Sequence, residues 1–110
     1  TFHKHAGQLC YGLQLHVDAA AHYEHAAFKP WRLMALAFKC LRRIEPGYPL
    51  WRDFDYEYER GKLAIDVING SDLLRLWVDD PAAEPADLER MALADELSWQ
   101  TERQPFLLYP

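Results

Sequence analysis

The sequence predicts an α+β domain, a small mixed sheet packed with two to three helices. Three observations lead there. From Cys10 to Val17 apolar and polar residues alternate, which is the period of a half-buried strand, and the same alternation returns over Asp53–Glu59. From Pro30 to Ile44 the apolar residues instead recur at helical spacing. Pro46-Gly47, Gly61-Lys62 and Asn69-Gly70 then cut the chain into short pieces, as turns do.

Size and charge narrow the class. A chain of 110 residues is read as a single domain, 1–110. It is large enough to bury a core without staples. Hydrophobic residues make up 50% of it and charged residues 26%, which sets it apart from disordered chains. The net charge of −5 argues against a nucleic-acid partner, which would need a basic stripe for the phosphates. No apolar run approaches a membrane span, and no signal peptide is present. Cys10 and Cys40 sit in apolar contexts and do not form a CxxC pair; free buried thiols are favoured over a disulfide. The opening Thr1-Phe2-His3 falls inside a motif, so a longer protein is expected and no compartment is assigned.

The elements follow in order. A polar loop carrying His3, Lys4 and His5 feeds the strand Cys10–Val17, with Tyr11, Leu13, Leu15 and Val17 on one face and Cys10, Gly12, Gln14 and His16 on the other. Asp18–His25 reads as a turn or short helical segment. Pro30 suits the first turn of a helix, where its missing N–H costs nothing. The helix is expected to bury Leu33, Ala37, Cys40, Leu41 and Ile44, with Met34 and Phe38 widening the stripe. Lys39, Arg42 and Arg43 would complement its C-terminal dipole, and Pro46-Gly47 would stop it. Asp53–Glu59 is the second candidate strand, and Leu63–Ile68 is a short apolar run. Ser71 is a plausible N-cap for a short helix over Asp72–Val78, with Leu73, Leu74 and Trp77 inward. A long helix is expected from Pro85 to about Glu102. Pro105–Tyr109 is a candidate last strand.

Several groups could carry chemistry. His3, His5 and His16 are candidate metal ligands, joined by His22 and His25 if the loop returns, but no zinc motif spaces them. A histidine-rich surface loop, or a ligand-facing loop in which Lys4 and His5 hold an anionic or hydroxylated group, are the other readings. No metal or other cofactor is called for. The carboxylates Asp53, Asp55, Glu57 and Glu59 invite an acid–base role, but four like charges on one face are more often a solvated edge. Glu57 stands apart because Tyr56 and Tyr58 flank it. Asp66, inside an apolar run, is expected to be partly buried and paired, or to cap a turn. Trp51 is the best exposed candidate for stacking on a sugar. No nucleophile elbow, P-loop or dinucleotide fingerprint is present. The residues alone fit a binding or auxiliary domain better than a complete enzyme.

Taken together, several motifs resemble a known family. These are the opening TFHKHAGQLCYGLQLHV, Phe28-Lys29-Pro30, YEYE at Tyr56–Glu59, the segment Ala64–Gly70 and the terminal Phe106–Tyr109. In that order they resemble the C-terminal domain of the bacterial exo-β-N-acetylmuramidases, NamZ-like glycoside hydrolases. The resemblance implies a larger, Rossmann-like N-terminal partner domain, with a cleft between the two domains and the catalytic carboxylates mainly in the larger one. The implied substrate is a muramic-acid-containing sugar or peptidoglycan fragment, cut at its non-reducing end. Lys4, His5, His16, Tyr56, Glu57 and Asp66 fall on matching motifs and are expected to bind substrate, with Lys4 or a protonated His5 on the lactyl carboxylate. The alternative is a stand-alone carbohydrate- or protein-binding module.

Overall fold

The structure is a computed structural model. It describes residues 3, 5–16, 24 and 26–109. Lys4, Val17 and the segment 18–25, apart from Glu24, lie outside the described residues, and so do the expectations that fall on them.

The described residues form four helices: α1 (Pro30–Ile44), α2 (Ala64–Asn69), α3 (Leu73–Asp79) and α4 (Pro85–Glu102). A short 3-10 turn follows at Gln104–Phe106. Among the described residues there is no sheet and no named strand, only an isolated antiparallel bridge between Tyr56 and Glu59. The α+β expectation is therefore overturned, and the architecture is helical. All three candidate strands fail for one reason. Alternation marks a strand only where a neighbouring strand fills its backbone bonds, and none is present among the described residues. Cys10–His16 is irregular chain, with Tyr11 at 90% and Leu13 at 95% exposure. Asp53–Glu59 contains a tight turn, closed by the Glu59 N–H donating to the Tyr56 carbonyl at 3.1 Å. Pro105–Tyr109 is the 3-10 turn and an exposed tail.

Helix α1 starts on Pro30 as expected, but it buries a different face. Ala35 is fully buried and Leu36 and Phe38 pack on the core, while Met34, Cys40, Leu41 and Ile44 are exposed. The small Ala35 side chain lets α3 come close, and α3 supplies Leu74, Trp77 and Val78 to the core. Ala83 and Leu88 complete the buried cluster, with Leu50, Trp51, Ile65 and Met91 packed around it.

Lys39 is the other departure. It does not serve its own helix dipole in the solvent. It is 4% exposed, and its ammonium donates to the carbonyls of Trp77 at 2.8 Å and Val78 at 3.3 Å, and also to that of Asp80. Trp77 and Val78 lie in the last turn of α3, where carbonyls have no intrahelical partner, and Asp80 is its C-cap. A positive charge there satisfies them and complements the dipole. The same ammonium lies 5.0 Å from the centre of the Trp77 ring. Burial lowers the Lys39 pKa from its ordinary value, Arg43 lowers it further, and Asp80, Glu84 and Asp79 act in the opposite direction.

The apolar run at 63–68 is too short for its periodicity to separate helix from strand. It folds as α2, stopped by Gly70 in the left-handed region at φ 84°, a conformation that glycine adopts without steric cost. Ser71 does not cap α3. Asp72 holds the N-cap position without a side-chain cap bond, and Ser71 accepts from the Asn69 amide instead. Helix α4 begins on Pro85, where the Asp87 carboxylate accepts from the Glu84 N–H at 2.7 Å.

Candidate functional site

Helices α2 and α3 are fastened together by an ion pair. Arg75 on α3 donates from Nε to both Asp66 oxygens at 2.9 and 3.0 Å, and from Nη2 to Oδ2 at 2.8 Å. The two side chains are 22% and 14% exposed. The hydrogen bond to Asp66 raises the Arg75 pKa above its ordinary value, against a smaller desolvation that lowers it. Asp66 is thus partly buried and paired, as its apolar context required.

This pair borders a shallow concavity of about 430 Å³. Glu59, Lys62, Asp66, Val67, Ser71 and Asp72 line it. Lys62 lies 3.5 Å from Glu59, and Asp72 lies 3.9 Å from Arg75. Three carboxylates and two cations therefore meet at one hollow, with carboxylate oxygens to accept from hydroxyl or amide donors.

The turn at 56–59 sits at the rim, because Glu59 belongs to both. Tyr56 is half-buried, with its ring 6.4 Å from that of Phe54, and Glu57 is exposed. Glu57 has φ 52°, and among the described non-glycine residues only His5, at φ 59°, shares a positive φ. Left-handed backbone is disfavoured for residues with a Cβ, and such positions gather at functional sites. Two of the residues expected at the site therefore hold the positive-φ positions found among the described non-glycine residues.

His5 lies in a turn on the N-terminal arm. The Gln8 N–H donates to the His5 carbonyl, and His5 Nδ1 pairs with Gln8 Oε1, both at 3.1 Å. Gly7 closes the turn at φ 74°. His5 and His16 are both exposed. Asp66 lines the hollow; Tyr56, Glu57 and the arm histidines His5 and His16 do not, and Tyr56 and Glu57 are tied to it only through Glu59, the last residue of their turn. Lys4 lies outside the described residues. Among the described residues no three His, Cys, Asp or Glu side chains come together as a metal site.

Other expectations need correction. Trp51 is not an open stacking platform. Its indole N–H donates to Asp79 at 2.7 Å, its ring meets Phe38 edge-on at 5.7 Å, and Arg42 lies above it. The exposed tryptophans are Trp31, at 39%, and Trp99, at 60%. Cys10 and Cys40 are free, as favoured, but exposed rather than buried. Asp53, Asp55, Glu57 and Glu59 are solvated on irregular chain. Sequence reasoning missed Lys62, Asp72 and Arg75. The signal for Arg75 is a basic residue nine positions after Asp66, which becomes meaningful once 64–79 is read as two helices packed on each other.

The fold and the hollow define a small helical domain that presents polar groups on irregular segments and assembles no full catalytic set among its described residues. The chain belongs to the family described as exo-beta-N-acetylmuramidase NamZ, C-terminal, whose family model matches residues 1–109. It is therefore a glycoside-hydrolase-associated domain. No curated protein and no solved structure matches it. No helix among the described residues is long and apolar enough to cross a membrane.

Proposed function

We propose that this domain forms one wall of the substrate cleft of a peptidoglycan-sugar hydrolase, with an N-terminal domain of the same polypeptide carrying the catalytic groups. The family match over residues 1–109 carries this reading. The geometry supports it in two ways. Asp66 lines a hollow with Glu59, the last residue of the turn that carries Tyr56 and Glu57, and its carboxylates suit the hydroxyl and amide donors of an amino sugar. His5 and Glu57 both hold left-handed backbone, a cost that a binding surface accounts for. On this reading Lys4, His5 and His16 face the partner domain and the sugar. Lys4 or a protonated His5 contacts the lactyl carboxylate of N-acetylmuramic acid.

The test uses the full-length polypeptide and a chromogenic muramide. Alanine at Lys4 and His5 together is expected to raise KM by about tenfold, the worth of one charge-assisted contact. Unchanged cleavage removes these residues from the cleft. A second reading, a stand-alone carbohydrate- or protein-binding module, predicts sugar binding without any cleavage by the full-length polypeptide.

A further inference from the structure

The arm presents a feature that the cleft does not use. From Leu9 to Leu15, no backbone N–H or carbonyl bonds to another backbone group among the described residues. Their side chains are exposed as well: Leu9 at 80%, Tyr11 at 90%, Leu13 at 95% and Leu15 at 56%. These four are the odd members of a period-two pattern, so in extended chain they share one face. Seven residues of extended chain span about 23 Å, an ordinary strand length. A row of unfilled backbone groups with one apolar face is chemically half of a sheet edge.

We infer that Leu9–Leu15 is a docking segment, which adds as a strand to an open sheet edge of the domain preceding this one in the polypeptide. The helical fold of this chain is unaffected, because the sheet belongs to the partner. Main-chain hydrogen bonds provide the attachment, and the Leu9, Tyr11, Leu13, Leu15 face packs on that partner's surface. A second copy of this chain is a poorer occupant. It offers no sheet among its described residues, only another bare segment, and an isolated two-stranded ribbon is marginal in water. A preceding domain is covalently tethered at the arm's own end, which gives an effective concentration on the order of millimolar.

The inference rests on the reading that a further domain precedes this one, and its test is separate from activity. Amide hydrogen exchange is followed on the full-length polypeptide at two protein concentrations about tenfold apart. The expected result is slowing at every second amide between Leu9 and Leu15, by at least about tenfold, equal at both concentrations. Uniformly fast exchange across the segment overturns the inference. Slowing that grows with concentration also overturns it, in favour of a second copy. Muramide cleavage with fast exchange leaves the cleft reading standing and removes this one. Alternate protection without cleavage does the opposite.

Discussion

The N-terminal arm and the α1–α3 block treat similar side chains in opposite ways. The arm carries Leu9, Tyr11, Leu13 and Leu15 and exposes all of them. The block buries Leu74, Trp77 and Val78, and buries a lysine beside them. Hydrophobicity alone does not separate the two. The difference lies in the backbone. Each helix fills most of its own hydrogen bonds, so its apolar face is free to seek a neighbour. An extended segment fills none and cannot bury its backbone until another strand arrives. Lys39 belongs to the same logic, because it enters the core where the last-turn carbonyls of α3, those of Trp77 and Val78, need a donor.

This contrast can be broken at its strongest point first. Lys39→Ala leaves the Trp77 and Val78 carbonyls without this buried donor, and is expected to cost about 3 kcal/mol of stability, read by denaturant unfolding. Lys39→Met, which keeps the stem, should recover only part of it. Leu88→Ala opens a cavity in the same block and should cost a similar amount, roughly 2–4 kcal/mol. A loss below about 0.5 kcal/mol at both sites would mean that the block is no more tightly built than the arm.

The Asp66–Arg75 pair sharpens the comparison at the hollow. Arg75→Lys keeps the charge but cannot reproduce three donated bonds, so a loss of about 1–2 kcal/mol is expected. The effect should appear as faster amide exchange in α2 and not in α4.

The pH dependence is smaller and has a definite sign. The folded-state pKa of Lys39 lies below its ordinary 10.5. Between the two values the unfolded chain binds more protons than the folded one, so stability from this group rises as pH increases through the window just below 10.5. Comparing unfolding of the native protein with Lys39→Met across that window isolates the effect, and the variant should lack the rise.

Least of all should happen in the arm. Leu13→Ser is expected to change exchange at the Leu74 and Val78 amides by less than the equivalent of about 0.5 kcal/mol. A larger change would place the arm against the block.

Much of the helical half was legible in the sequence. Pro30 and Pro85 mark helix starts correctly, because proline at the first turn is a local effect. The pairing of Asp66 was legible too, since a carboxylate in an apolar run needs a partner wherever the run goes. The partner itself was not. Arg75 becomes adjacent only when α2 stops at Gly70 and α3 packs against it. The buried face of α1 was misread for a related reason. Its apolar residues cover more than one side, and only the position of α3 decides that Ala35 and Lys39 turn inward while Leu41 and Ile44 face water.

The sequence by itself determined the local matters: where chains turn, where helices begin, which residues carry charge, and through its motifs the family. Tertiary structure decided whether alternating segments become strands, because a strand is completed by a neighbour far along the chain or on another domain. It also decided that Lys39 is a core residue, since the carbonyls that hold it lie some forty residues away. A helix bonds within itself and can be read from a short window of sequence, whereas the hollow at Asp66 and the open arm depend on what comes to lie beside them.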